Sequence, residues 1–79
     1  MKGLIMRNNQ FSANEIGTRI LRARQSKGIS QSDLAKAIGV TQSAIAQFET
    51  GKNKPTLKSM IALSNHLNIQ LHKLAGATQ

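Results

Sequence analysis

The sequence predicts an all-α domain of four to five short helices, and three observations carry that reading. Serine or threonine stands just before each apolar-periodic stretch. Glycine or asparagine stands just after it. Within the stretches, apolar residues recur at spacings of three and four, the period of a helix with one buried face.

Residues 1–11 show no period and contain the polar run Arg7-Asn8-Asn9-Gln10, so they read as an N-terminal arm. Ser12-Ala13-Asn14-Glu15 is a capping box, with Phe11 and Ile16 at the hydrophobic-staple positions. The first helix then runs to about Lys27, with Gly28 as a left-handed stop. Ser30-Gln31-Ser32-Asp33 repeats the arrangement with the shorter Asp33 reaching back, and Ile29 and Leu34 form its staple. This second helix ends near Ile38, before Gly39. Thr41 caps a third helix that runs to about Thr50 and is followed by Gly51, with Val40 and Ile45 at staple spacing. Pro55-Thr56 opens a fourth helix, which ends near Leu67 with Asn68 as a left-handed residue. The core then comprises Ile16, Ile20 and Ala23; Leu34, Ala35 and Ile38; Ile45 and Phe48; and Met60, Leu63 and Leu67. The domain spans 12–68, and 69–79 forms a C-terminal segment.

At 79 residues this is one domain with a small core, of the size that commonly needs a disulfide, a metal or a second subunit. The chain has no cysteine, and His66 and His72 alone cannot make a zinc site. No metal or cofactor is expected, and dimerisation is. Eleven Lys and Arg against three acids give a formal net charge of +8, which points to a polyanionic partner. A membrane is disfavoured, because no apolar run approaches the roughly 20 residues a span needs. Leu4-Ile5-Met6 is too short for a signal peptide, so a cytoplasmic location is expected. Enzyme readings lack parts: there is no cysteine nucleophile, and Gly51-Lys52 lacks the glycine spacing of a phosphate loop.

The second and third helices are joined by only Gly39-Val40-Thr41. A crossing that sharp needs a small residue at Ala35 for close approach and positive φ at Gly39. Gly28-Ile29-Ser30-Gln31, Leu34-Ala35, Ile38-Gly39-Val40-Thr41-Gln42, Ile45, Phe48-Glu49, Gly51-Lys52 and Pro55-Thr56-Leu57 together resemble the lambda-repressor-like, or Cro/CI (XRE), helix-turn-helix family. The resemblance covers Ile16 to Leu74. It implies a transcriptional regulator, bacterial or phage and nucleoid-associated, that binds double-stranded operator DNA as a homodimer.

In such a motif the second helix enters the major groove N-terminus first. Gln42, Ser43 and Gln47 are then the outward base-reading residues, and Ala46 can touch a thymine methyl. Gln31 matches the family's phosphate-contacting glutamine, and Thr41 is both cap and phosphate donor. Lys52, Asn53 and Lys54 flank the phosphate backbone, while Arg19, Arg22, Lys27 and Lys36 are further basic candidates. The resemblance also implies a structural ion pair between Arg24 and Glu49.

Gln70 is a poor N-cap, and Ile69-Gln70-Leu71-His72 alternates apolar and polar, which is a strand signal. A lone strand would pair with its copy across a dimer, placing Ile69, Leu71 and Leu74 at the interface. That arrangement is similar to HipB-type antitoxins and implies an autorepressor that also binds a HipA-like kinase toxin. Three alternatives stay open: a fifth helix using Ile69 and Leu74, a phage-type Cro/CI repressor without a toxin, and a helix-turn-helix used only for protein interaction.

Overall fold

A computed structural model describes residues 12–76. The expected N-terminal arm and the staple partner Phe11 lie outside the described residues, as do 77–79. Five helices follow one another: α1 (Ala13–Lys27), α2 (Gln31–Ile38), α3 (Gln42–Thr50), α4 (Leu57–Leu67) and α5 (Leu71–Ala75). Among the described residues there is no strand.

The first four helices start on side chains that satisfy otherwise orphaned amides. Ser12 Oγ accepts from Glu15 N at 3.2 Å, and Glu15 Oε1 accepts from Ser12 N at 2.9 Å, completing the box. Ser30, Thr41 and Thr56 each accept from the amide three residues on. The expected return bond from Asp33 is not among them, because its side chain is one methylene shorter than the Glu15 that makes it. The turn between α2 and α3 depends on Gly39, whose φ of 76° lies in the left-handed region. There Val40 N donates to Ala35 O at 3.0 Å, closing the end of α2 and starting the bend.

The core gathers Ile16, Ile20, Leu34, Ala35, Ile45, Phe48, Met60, Leu63 and Leu67, with Ala23, Ile29, Ile38 and Val40 packed against its edge. One further residue joins them. Leu74 on α5 is fully buried, at 0% exposure.

That burial overturns the expected C-terminal strand. The alternating pattern of 69–72 is short, and Ile69 and Leu74 are brought onto the core by a helical turn instead. Gln70 provides no side-chain cap, but its carbonyl accepts from Lys73 N and Leu74 N, both at 3.0 Å. Packing of Leu74 outweighs the poor cap. Leu74 therefore belongs to its own chain's core and not to a surface between chains, whereas Leu71 stays partly exposed.

α1 crosses α3 at backbone distance. A Cβ built on Gly17 would lie 2.2 Å from Phe48 O and 2.7 Å from Glu49 O. Those are main-chain atoms, which cannot swing aside. Glycine in a helix interior ordinarily costs about 1 kcal/mol against alanine, and here it is required by the crossing. Gly17→Ala should therefore destabilise the fold by about 1–3 kcal/mol, as overpacked cores do, despite alanine's better helix propensity. Urea denaturation followed by circular dichroism measures this, and unchanged or increased stability would contradict the backbone crossing.

Candidate nucleic-acid interface

α3 is held in place by a polar network as well as by the Gly17 crossing. Glu49, near its C-terminal end, is buried; the side chains of Arg24 and Glu49 are 13% and 4% exposed. Arg24 Nε donates to Glu49 Oε2 at 2.6 Å, and Arg24 Nη2 donates to Oε1 at 3.2 Å. This is the two-pronged geometry that a guanidinium offers a carboxylate. Arg24 Nη1 donates to Ile29 O at 2.9 Å, tying in the loop before α2. Gln31 Nε2 completes the set, donating to Glu49 Oε1 at 2.9 Å. One carboxylate thus joins α1, α2 and α3.

The network adds to what the sequence shows for Gln31. Its amide already has a protein partner in Glu49, so it links helices whatever else it touches. The Glu49 hydrogen bond raises the Arg24 guanidinium above its ordinary pKa, partial burial opposes the rise, and Coulombic attraction to Glu49 adds to it.

The exposed side of α3 is uncharged. Gln42 and Ser43 are exposed on its first turn, and Ala46 and Gln47 are half-buried further along. Thr41 Oγ1 accepts from Ala44 N at 3.0 Å, which leaves its hydroxyl proton for another acceptor. After Gly51 the chain folds back on the helix end: Lys52 N and Asn53 N both donate to Gln47 O, at 2.9 and 3.2 Å. Lys52, Asn53 and Lys54 are therefore exposed beside α3, and the buried Pro55 follows them. Asn53 Nδ2 also donates to Gln47 Oε1, a side-chain contact that residue spacing does not reveal. Among the described residues, no group of His, Asp and Glu is placed to hold a metal ion, and no helix is long and apolar enough to cross a membrane.

A helix-turn-helix family model matches residues 20–74. The chain belongs to the Cro/CI helix-turn-helix family. This Cro/CI chain is 37% identical over 62 residues to an SPbeta prophage-derived uncharacterized HTH-type transcriptional regulator, YonR, of Bacillus subtilis; the match covers 78% of this chain and 57% of that protein. It is 30% identical over 61 residues to the antitoxin HipB of Escherichia coli, covering 77% of this chain and 69% of HipB. A crystal structure of the P22 c2 repressor in complex with a synthetic operator superposes with a TM-score of 0.76 at 32% identity, covering 80% of this chain and 96% of that one. The chain thus spans little more than half the length of the prophage regulator.

Removing one partner of the Arg24–Glu49 pair strands a buried charge. Arg24→Ala should cost about 3–5 kcal/mol, while Arg24→Met combined with Glu49→Leu should cost less than either Arg24→Ala or Glu49→Ala alone. A raised folded-state pKa means that the pair's contribution is complete below arginine's ordinary value and is lost only as pH rises through the folded one. Between about pH 7 and 9 the stability gap between wild type and Arg24→Ala should therefore stay constant. Chemical denaturation at each pH measures both effects, and a gap that closes over this range would contradict the assignment.

Proposed function

We propose that this chain is a sequence-specific, double-stranded-DNA-binding transcriptional regulator that lays α3 in the major groove. The carrying observation is the uncharged hydrogen-bonding face of α3, with Lys52 and Lys54 beside it and the helix's only carboxylate, Glu49, buried and paired. Amide and hydroxyl groups discriminate base edges, whereas lysines add affinity for phosphates without reading sequence. In this reading Gln42, Ser43 and Gln47 contact bases and Ala46 meets a thymine methyl. Gln31, Thr41, Lys52, Asn53 and Lys54 contact the backbone. The net charge of +8 and the likeness to the operator-bound P22 c2 repressor support the same conclusion. A helix-turn-helix used only for protein interaction would be better served by an apolar outer face on α3.

The regulator acts as a homodimer on cytoplasmic DNA and represses its own operon. Its exposed large apolar residues among those described are Leu57 (69%), Ile61 (43%) and Leu71 (36%), all on α4 and α5. They take the place of the strand in the proposed interface, and a two-fold there would set the spacing of two half-sites. A second reading adds toxin binding, as an antitoxin to a HipA-like kinase. It is supported by the likeness to HipB. The prophage regulator is the more similar of the two by identity, and the C-terminal strand that favoured an antitoxin is replaced by α5. The phage-type repressor without a toxin is therefore the preferred reading, and a kinase encoded beside this gene that copurifies with the chain would reverse that order.

Sites selected from a random DNA pool test the main reading. Gln42→Ala should weaken binding to the selected site by about 1–3 kcal/mol and leave random DNA nearly unchanged; equal losses on both would contradict base reading. Lys52→Ala or Lys54→Ala should weaken binding to both and lower the salt slope by about one unit, measured by titration at several salt concentrations. For the interface, Leu57→Glu with Ile61→Glu should shift sedimentation equilibrium toward monomer without lowering helix content. Unchanged self-association would exclude this surface.

A further inference from the structure

We propose that Asn53, in the loop after α3, determines which base edge Gln47 reads. The proposal rests on α3 being the DNA-reading helix. It begins from a double tie between the two residues. Asn53 is fixed to Gln47 through the main chain, N to O at 3.2 Å, and through the side chains, Nδ2 to Oε1. Lys52 N donates to the same Gln47 carbonyl at 2.9 Å, and Gly51 N donates to Phe48 O at 3.2 Å, so the loop is anchored to the helix before the side chains meet. The loop residue is therefore not a free surface amide, and Gln47 is half-buried beside it.

A free glutamine amide can turn over and present either its oxygen or its nitrogen, or both together. The two-bond contact with adenine needs both, because N6 is a donor and N7 an acceptor. In this chain the Gln47 oxygen is drawn toward the loop, and the amide nitrogen points the other way by the trigonal geometry at Cδ. Among the described residues that nitrogen has no partner. With its oxygen engaged by Asn53, Gln47 presents its amide N–H donors foremost. The major-groove edge of guanine, with acceptors at N7 and O6, suits it best; the N4 donor of cytosine suits it least. Gln42, whose side chain is exposed and makes no bond within the described residues, keeps both halves of its amide for adenine. Two glutamines on one helix then read different bases, and the difference is set by a residue that is neither of them.

The test is selection of bound sequences from a random duplex pool by full-length wild type, Gln47→Ala, Asn53→Ala and Asn53→Asp. Gln47→Ala locates the base position that Gln47 reads. There the wild type should enrich guanine. An aspartate can only accept, so Asn53→Asp should turn the Gln47 amide over and present its oxygen, moving the preference by about tenfold toward cytosine or adenine. Asn53→Ala should release the amide and admit adenine. The added charge of Asn53→Asp weakens binding to all sequences, so the relative preference at that position is what is read. An unchanged preference in Asn53→Asp overturns the proposal. That is also the result expected if both amides are turned over, with Asn53 Oδ1 accepting from Gln47 Nε2. A change at a position that Gln47→Ala does not affect likewise overturns it. In the free protein, NMR should show the Asn53 side-chain amide protons close to Gln47 and slowed in exchange; their absence removes the tie. If wild type enriches no sequence while the NMR contact is present, the DNA-reading premise has failed and the proposal falls with it.

Discussion

The structure depends most on how α1 grips α3. The grip has two parts with different physics. At Gly17 the two helices meet backbone to backbone, which fixes their separation through sterics. Further along α1, Arg24 reaches Glu49 through two hydrogen bonds and Ile29 O through a third, which fixes rotation and register. A buried ion pair gives little net stability over an apolar equivalent, because desolvating two charges offsets most of their attraction. Its contribution here is geometric: a carboxylate with Arg24 on one side and Gln31 on another admits few relative orientations of three helices. The same pairing takes the one carboxylate on α3 out of the surface that faces the proposed phosphates.

Much of this fold is legible in the sequence because helix boundaries are chemical events. Ser12, Ser30, Thr41 and Thr56 cap where their hydroxyls are needed, and Gly39 bends where a side chain would be strained. The apolar stripes follow from period alone, and the core residues they name are buried or packed at its edge. The C-terminus is harder to read. Four alternating residues are compatible with a strand or with one helical turn, and no cap breaks the tie at Gln70. Leu74 decides it through contacts with distant parts of the chain, which no short window contains.

The candidate site divides in a similar way. Outward positions on α3 follow from helical geometry, so Gln42 and Ser43 are legible as exposed side chains. Partners within the protein are not. The bonds from Gln31 to Glu49 and from Asn53 to Gln47 span 18 and 6 residues, and each depends on where a flexible side chain settles after the helices dock. Gly17 left one usable trace: glycine inside a strongly capped helix is a local disadvantage, and such a residue generally answers to packing elsewhere.

The contrast between bonded and unbonded side chains on α3 bears on how such a protein changes over time. Gln42 and Ser43 contribute no side-chain hydrogen bond to the described fold, so substitutions there alter what the surface offers without loosening the scaffold. Gln47 is different, because it is tied to the loop. On the proposed DNA-reading role of α3, new binding preferences can therefore be explored at its first turn at little cost in folding. Change at Gln47 is coupled to Asn53, so the two positions should drift together across a lineage, while the first turn answers to its target alone.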